Sequence, residues 1–220
     1  MAQNSPDYIS VIGPQLYQPI ADLIGKLLAR PYQEPDRISS NYFEGGYAAG
    51  IILLLAAAVE SLVQRDRYFY TRTVPTARPS AKVSEYMKLI HGYRRHAHLH
   101  ELFEVRNAVA HNHLWEIRYA TPAAGGRRHK GSSLVPNSHR LSPPPVAGAR
   151  VPCTKRLRIN LQPTRLDRTD VAKALAASLH LLKFLSAKGY EHVRLTAHRV
   201  SLRGKLISFS DLLREFTSVP

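Results

Sequence analysis

The chain has 220 residues, 44% hydrophobic and 21% charged, a composition that excludes a wholly disordered chain, a collagen and a coiled coil. The 31 Lys and Arg residues outnumber the 16 Asp and Glu residues, which gives a formal charge of +15. A polyanion such as nucleic acid is therefore the expected partner, with an anionic membrane surface as the second possibility. Cys153 is the single cysteine and cannot form an internal disulfide, and residues 1–10 lack the pattern of a signal peptide. These features predict a cytoplasmic protein.

The first half of the chain is predicted to be helical throughout. Apolar periodicity and proline breaks predict helices over 16–29, 42–70, from Ser80 or Ser84 to about 96, and 99–117. The most apolar run, 47–59, has 13 residues, whereas about 20 are needed to cross a bilayer. We therefore expect it to form a buried core helix, and we expect no membrane partner.

The second half carries most of the positive charge. Residues 1–118 hold 13 Lys and Arg against 11 Asp and Glu, whereas residues 119–220 hold 18 against 5. Segment 121–152 is rich in Pro, Gly and Ser and lacks periodicity, which predicts a flexible basic insertion, either a solvated linker or a tether that grips phosphates. Beyond it the pattern predicts a strand at 157–161, a helix at 170–188, a β-hairpin within 192–209 turned around 203–205, and a short helix at 211–216.

Together these elements predict a mainly α fold, a helical bundle with a small C-terminal β element. The predicted organisation has three parts: a helical bundle at 1–120, the flexible insertion at 121–152, and a strand–helix–hairpin segment at 153–220. The helix at 170–188 has an apolar stripe that must be covered. We therefore expect the third part to pack on the bundle.

The most informative segment is 101–117, ELFEVRNAVAHNHLWEI, in which Arg106, Asn107 and His111 form the pattern R-N-A-V-A-H. Asn107 and His111 are four residues apart and share a face of a helix. With apolar neighbours beside them, these polar groups form a narrow strip along a buried seam. Such a strip is either a hydrogen-bonded structural feature or a functional site.

This segment resembles the R-x4-6-H signature of the HEPN (higher eukaryote and prokaryote nucleotide-binding) family, in which a polar residue, often Asn, commonly follows the Arg. The preceding apolar helix, which bears Glu60, adds to the resemblance because family members commonly place an acidic residue on a helix beside the motif. The resemblance implies an HEPN-like bundle that cleaves RNA without a metal or cofactor, at a site formed where two protomers meet. It also implies a homodimer in a toxin–antitoxin or anti-phage setting, with an inhibitory antitoxin or a defence-complex protein as a partner.

The residue types suit this reaction. A histidine, whose unperturbed pKa is about 6.5, can exchange protons with the attacking and leaving oxygens at neutral pH, and two copies of His111 would take the two roles. Arg106 would bind the negative charge of the transition state, and Asn107 would orient the imidazole or the phosphate. Glu60 is either a structural partner of Arg106 or a contributor to the site. DNA lacks the 2′-hydroxyl nucleophile, so RNA and not DNA is the expected substrate.

Cationic and imidazole side chains outside this motif are expected to hold the RNA backbone electrostatically. The predicted RNA-binding residues are His113, Arg94, Arg95, Arg127, Arg128, Lys130, Arg156 and Arg158.

Three alternatives remain open at the level of sequence. The chain is a non-catalytic RNA-binding or scaffolding subunit of a larger complex if the motif is structural. The histidine-rich run that holds His96 and His100 is expected to form a basic, solvated face that contacts RNA phosphates, and these two residues, four apart on one helical face, form a zinc site instead if a third ligand is available. Arg95, His96 and His100 also match the loose pattern of an Arg, a polar residue and a His, but they lie in a polar run rather than in apolar sequence.

Overall fold

The structure, a computed structural model, describes residues 12–34, 43–73, 82–111, 115–120, 128–134, 153–190 and 198–217. The helices of the bundle are α1 Tyr17–Leu28, α2 Glu44–Thr73, α3 Val83–His91, α4 His96–Ala110 and α5 Arg168–Ala187. Strands β1 Trp115–Ala120 and β2 Arg128–Leu134 form one antiparallel pair, and β3 Arg199–Leu202 and β4 Lys205–Ser208 form another, before the last helix, α6 Leu212–Thr217. The chain is mainly α with a small C-terminal β element, as the sequence predicts.

Helix α2 is the central element of the bundle. It packs against α1, α4 and α5, and its side chains Ile51, Ile52 and Leu62 are fully buried. Within the described residues it is the one helix long and apolar enough to cross a membrane by length and composition, and half of its most apolar stretch is buried inside the fold. Its packing is that of the core helix of a bundle.

A buried ion pair between Glu44 and Arg168 joins the first residues of α2 and α5. The buried carboxylate of Glu44 accepts hydrogen bonds from Arg168 Nε at 2.9 Å, from Arg168 Nη2 at 2.7 Å and from the Arg168 backbone N–H at 2.9 Å. This carboxylate raises the pKa of Arg168, chiefly through the hydrogen bonds. Asp167 caps the same end of α5 by accepting the Asp170 N–H at 3.0 Å.

A second buried polar cluster joins α2, α3 and the end of α5. Asp66 Oδ2 accepts a hydrogen bond from Tyr86 Oη at 2.8 Å and lies 2.6 Å from His91 Nε2, and Tyr190 also bonds to this carboxylate. Burial alone would raise the pKa of Asp66, but the hydrogen bonds from His91 and Tyr86 outweigh it and lower the pKa.

The C-terminal hairpin packs on α1. Its turn residues Arg203 and Gly204 have φ angles of 51° and 78°, the left-handed pair that a two-residue turn of this hairpin requires. The Gln18 side chain donates to Ser201 O at 3.0 Å and accepts the Ser201 N–H at 2.8 Å, which ties β3 to α1. The predicted hairpin and the position of its turn are confirmed.

The structure differs from the sequence prediction around the end of α4. The predicted helix 99–117 begins earlier, at His96, and ends at Ala110, and Ile117 lies in β1 instead. The partner strand β2 uses residues 128–134 of the segment predicted to be flexible, with a register shift between Arg118 and Tyr119. Strand pairing between segments separated along the chain supplies the order that local periodicity does not indicate. Residues 121–127 and 135–152 of the predicted insertion lie outside the described residues.

The predicted strand at 157–161 is wrong. Apart from one isolated bridge between Cys153 and Asn160, this segment has no strand pairing, and the chain turns at 154–158, where Arg158 has a φ angle of 56°. Its backbone N–H groups donate to side chains rather than to a neighbouring strand, as at Ile159, which donates to Thr154 Oγ1 at 3.0 Å. The alternation in the sequence reflects the burial of Ile159 in the core and not a ladder of strand hydrogen bonds.

Candidate functional site

Helix α4 presents two faces of opposite character. Leu99, Leu102 and Val105 lie on one face and are buried against α2 and the rest of the core. His100 and Glu104 lie on the opposite face and are about half exposed. Spacings of three and four residues produce this division, and they leave Glu104 and Asn107 facing outward.

This outward face of α4 borders an open cleft of about 220 Å³. The other walls come from Glu60 of α2 and from the first residues of α3. The lining residues are Glu60, Lys82, Val83, Ser84, His100, Phe103, Glu104, Arg106 and Asn107. Three of the four predicted catalytic residues, Glu60, Arg106 and Asn107, therefore lie together.

The ion pair between Arg106 and Glu60 spans α4 and α2 within this cleft. Arg106 Nη1 lies 3.5 Å from Glu60 Oε2, and the two side chains are 32% and 36% exposed, so solvent and ligands reach both. The guanidinium carbon lies 5.3 Å from the centre of the Phe103 ring. Arg106 Nε is buried and has no hydrogen-bond partner among the described residues. The ion pair with Arg106, one of the two roles that the sequence left open for Glu60, is present, and it leaves donor capacity on the guanidinium.

His111 lies outside the cleft. It is the residue at which α4 ends, its side chain is exposed, and its backbone N–H donates to Asn107 O at 3.1 Å. One helical turn therefore separates this imidazole from the position of Asn107 on the cleft wall. His113 lies outside the described residues.

The imidazole that lines the cleft together with Arg106 is that of His100. His100 Nε2 lies 3.4 Å from Glu104 Oε1, one turn further along α4. The sequence interpretation places His100 on a basic, solvated face that contacts RNA phosphates, with a zinc site and a second-ranked motif as alternatives. The signal that points to the cleft is the outward stripe His100, Phe103, Glu104 and Asn107, spaced by three and four residues. In the part of the chain that the structure describes, no group of three His, Cys, Asp or Glu residues is arranged to hold a metal, so His96 and His100 have no third ligand there.

A basic surface lies beside the N-terminus of α4. We define it by the cationic and imidazole residues Lys88, Arg95, His96, Arg156, His180 and Lys183. Partial burial lowers the pKa of His96, and the charges of Lys88 and Arg156 lower it further. The pKa of His180 is lowered by burial and then by Arg95, His98 and Lys183. The cations of this surface therefore lie close enough to His96 and His180 to lower the pKa values of both.

A single buried carboxylate positions Arg156 on this surface. Glu101, on the inner face of α4, accepts the Arg156 N–H at 3.0 Å on each of its two oxygens and the Leu157 N–H at 2.7 Å. This contact holds the turn at 154–158 against α4, with the Arg156 side chain exposed. Nothing in the order of residues along the chain signals this contact, which joins positions 55 and 56 residues apart.

The remaining predicted RNA-binding residues are spread over the molecule. Arg94 is exposed and immediately precedes Arg95 of the basic surface. Arg158 is exposed on the turn, where its carbonyl oxygen accepts a hydrogen bond from Lys173 Nζ at 2.8 Å. Arg128 and Lys130 lie on β2, whose backbone alone is described, and Arg127 is outside the described residues.

Comparison with known proteins supplies no relative. No protein-family model, no curated protein and no solved structure matches the chain. The interpretation of function therefore depends on the cleft, the end of α4 and the basic surface.

Proposed function

We propose that this protein is a metal-independent endoribonuclease of the HEPN type, active as a homodimer in a toxin–antitoxin or anti-phage defence setting. The observation that carries the proposal is the pairing of Arg106 and Glu60 in an open cleft, next to the helix end that bears His111. In that setting an inhibitory antitoxin or a defence-complex protein restrains the enzyme.

The reaction requires two proton transfers, and the negative charge on the non-bridging phosphate oxygens has to be stabilised in the transition state. The ribose 2′-oxygen loses its proton to a base and bonds to the adjacent phosphorus, while the bond from phosphorus to the 5′-oxygen breaks and that oxygen takes a proton from an acid. The products are a 2′,3′-cyclic phosphate and a 5′-hydroxyl. Arg106 is suited to bind the non-bridging oxygens because its guanidinium stays charged, and because the ion pair with Glu60 uses only part of its N–H donors.

The position of His111 supports a site shared between two protomers. Its exposed side chain at the end of α4 lies outside its own cleft, where a neighbouring chain can approach it. Two copies of the helix end brought together across a two-fold axis would supply an acid and a base from the same residue type.

The basic surface supports RNA as the polymer that is bound. The cleft itself is nearly neutral, because the formal charges of Lys82 and Arg106 offset those of Glu60 and Glu104. Attraction for the phosphate backbone therefore has to come from the neighbouring cations, among them Arg95 and the other residues of the basic surface.

Cleavage of a defined single-stranded RNA in EDTA tests the proposal. The purified wild-type chain should produce fragments ending in 2′,3′-cyclic phosphate, and it should leave DNA of the same sequence intact. Arg106→Ala and His111→Ala should each lower the rate by about 10²–10⁴-fold, the usual range for lost charge stabilisation and acid–base catalysis. Lys26→Ala, an exposed change on α1, is the control and should keep the wild-type rate.

A non-catalytic RNA-binding or scaffolding subunit is the second candidate. The near-neutral cleft beside a strongly basic surface favours it, because such a protein needs the surface and not the motif. RNA binding that weakens with salt, without cleavage in EDTA or in any divalent metal, would replace the ribonuclease proposal with this one.

A further inference from the structure

We propose that His100, paired with Glu104, is the general base of the ribonuclease in place of one of the two His111 copies, so that each protomer carries one imidazole inside its own cleft. This proposal rests on the proposed function and deepens it. His100 and Arg106 are the imidazole and the guanidinium that the structure places in one cleft, whereas His111 lies at its outside end.

The geometry of α4 brings the groups within reach of one phosphodiester. At 1.5 Å per residue, His100 and Arg106 are about 9 Å apart along the helix axis, and both side chains line the same cleft. Pockets that enclose drug-sized ligands have volumes of about 300–1,000 Å³. A cleft of about 220 Å³ suits a smaller group, such as a phosphodiester with the adjoining ribose atoms.

Glu104 gives His100 the arrangement of a general base. Its Oε1 atom lies 3.4 Å from His100 Nε2, an ion-pair distance that favours a proton on Nε2 and leaves a lone pair on Nδ1. When Nδ1 takes the proton of the 2′-hydroxyl, the carboxylate offsets the charge of the resulting imidazolium. The 2′-oxygen then bonds to phosphorus, and the 5′-oxygen leaves with a proton from His111 of the second copy.

Several charged and titratable groups near His100 also affect the pH dependence of cleavage. Four charged groups share the cleft with it, on α4, on α2 and just before α3, and one further imidazole lies a turn earlier on α4. These groups are Glu104, Arg106, Glu60, Lys82 and His96. Replacement of Glu104 by Gln changes the charge nearest to His100 and leaves the other cleft residues in place.

Single-turnover cleavage by the full chain, measured from pH 5 to pH 9 in EDTA, tests the proposal. His100→Ala and His100→Gln should each lower the rate at saturating enzyme by about 10²–10⁴-fold, with no change in the Kd for RNA. Glu104→Gln should lower the rate less and should move the acidic limb of the pH profile. Glu85→Gln, an exposed change on α3 outside the cleft, is the matched control and should leave both unchanged.

The outcomes separate this proposal from the proposed function. Wild-type rates in both His100 variants, with Arg106→Ala and His111→Ala inactive, overturn the role of His100 and leave the ribonuclease intact. A wild-type chain that cleaves no RNA overturns the ribonuclease and, with it, the proton-transfer role of His100.

Discussion

Replacement of Glu101 should detach the turn at 154–158 from α4. Its buried carboxylate is the acceptor for two backbone N–H groups, those of Arg156 and Leu157, at 2.7–3.0 Å. Glu101→Ala removes the acceptor of both groups. Glu101→Gln keeps the shape but leaves one oxygen acceptor, and its amide N–H₂ faces a backbone donor instead of accepting from it.

The size of the effect follows from the charge and burial of the carboxylate. A hydrogen bond to a charged group contributes about 1.5–3 kcal/mol to the free energy of unfolding. Two donors, one of them on an exposed residue that water can reach, give an expected loss of about 3 kcal/mol for Glu101→Ala and about 2 kcal/mol for Glu101→Gln. Glu104→Gln, an exposed change one turn away on the same helix, should change the free energy of unfolding by no more than about 0.5 kcal/mol.

Urea unfolding at pH 7 measures these free energies, and amide hydrogen exchange reports the two N–H groups directly. The amides of Arg156 and Leu157 should exchange faster in both Glu101 variants, while the core amides of α2 keep their relative protection. If Glu101→Ala were as stable as Glu104→Gln and the two amides stayed protected, the view that this carboxylate holds the turn would be refuted.

Three further predictions follow from the buried and basic groups. Arg168→Ala leaves the buried Glu44 carboxylate without its guanidinium, and urea unfolding should show that the free energy of unfolding falls by about 3 kcal/mol. Arg214→Ala, which removes an exposed ion pair with Asp211, is the control and should lower the free energy of unfolding by less than about 0.5 kcal/mol. Hydrogen bonds outweigh burial and lower the pKa of Asp66. The stability that this carboxylate contributes is therefore complete above the ordinary carboxyl pKa of about 3.9 and is lost as the pH falls through the lowered pKa. Acid unfolding of Asp66→Asn should show a shallower pH dependence than the wild type in that range. Burial and neighbouring cations lower the pKa values of His96 and His180, and bound phosphates should raise those pKa values again. The affinity for RNA, measured by fluorescence anisotropy, should therefore rise as the pH falls from 8 to 5.5. The double variant His96→Ala/His180→Ala should lose most of that rise.

Local patterns predicted the elements whose stability is decided within a short stretch of chain. The helical stripe before Pro31, the long apolar helix and the amphipathic helix at 170–188 are present as α1, α2 and α5. The hairpin turn was predictable because Arg203 and Gly204 adopt a conformation that depends on two adjacent residues. The sequence left two roles open for Glu60, and the pairing with Arg106 is the one for which the structure shows a contact.

The amino-acid sequence by itself determined the helical class, the asymmetry of charge and the motif around Arg106, because each depends on composition or on spacings of a few residues. Tertiary structure decided which imidazole shares the cleft: His100 faces Glu60 and Arg106 because α2 and the start of α3 pack beside that face of α4. It also decided that α4 ends at Ala110 and that the chain turns at 154–158, bound to Glu101, where the sequence predicts a strand at 157–161. The hydrogen bonds and packing that settle these points join residues tens of positions apart, and local periodicity carries no information about such contacts.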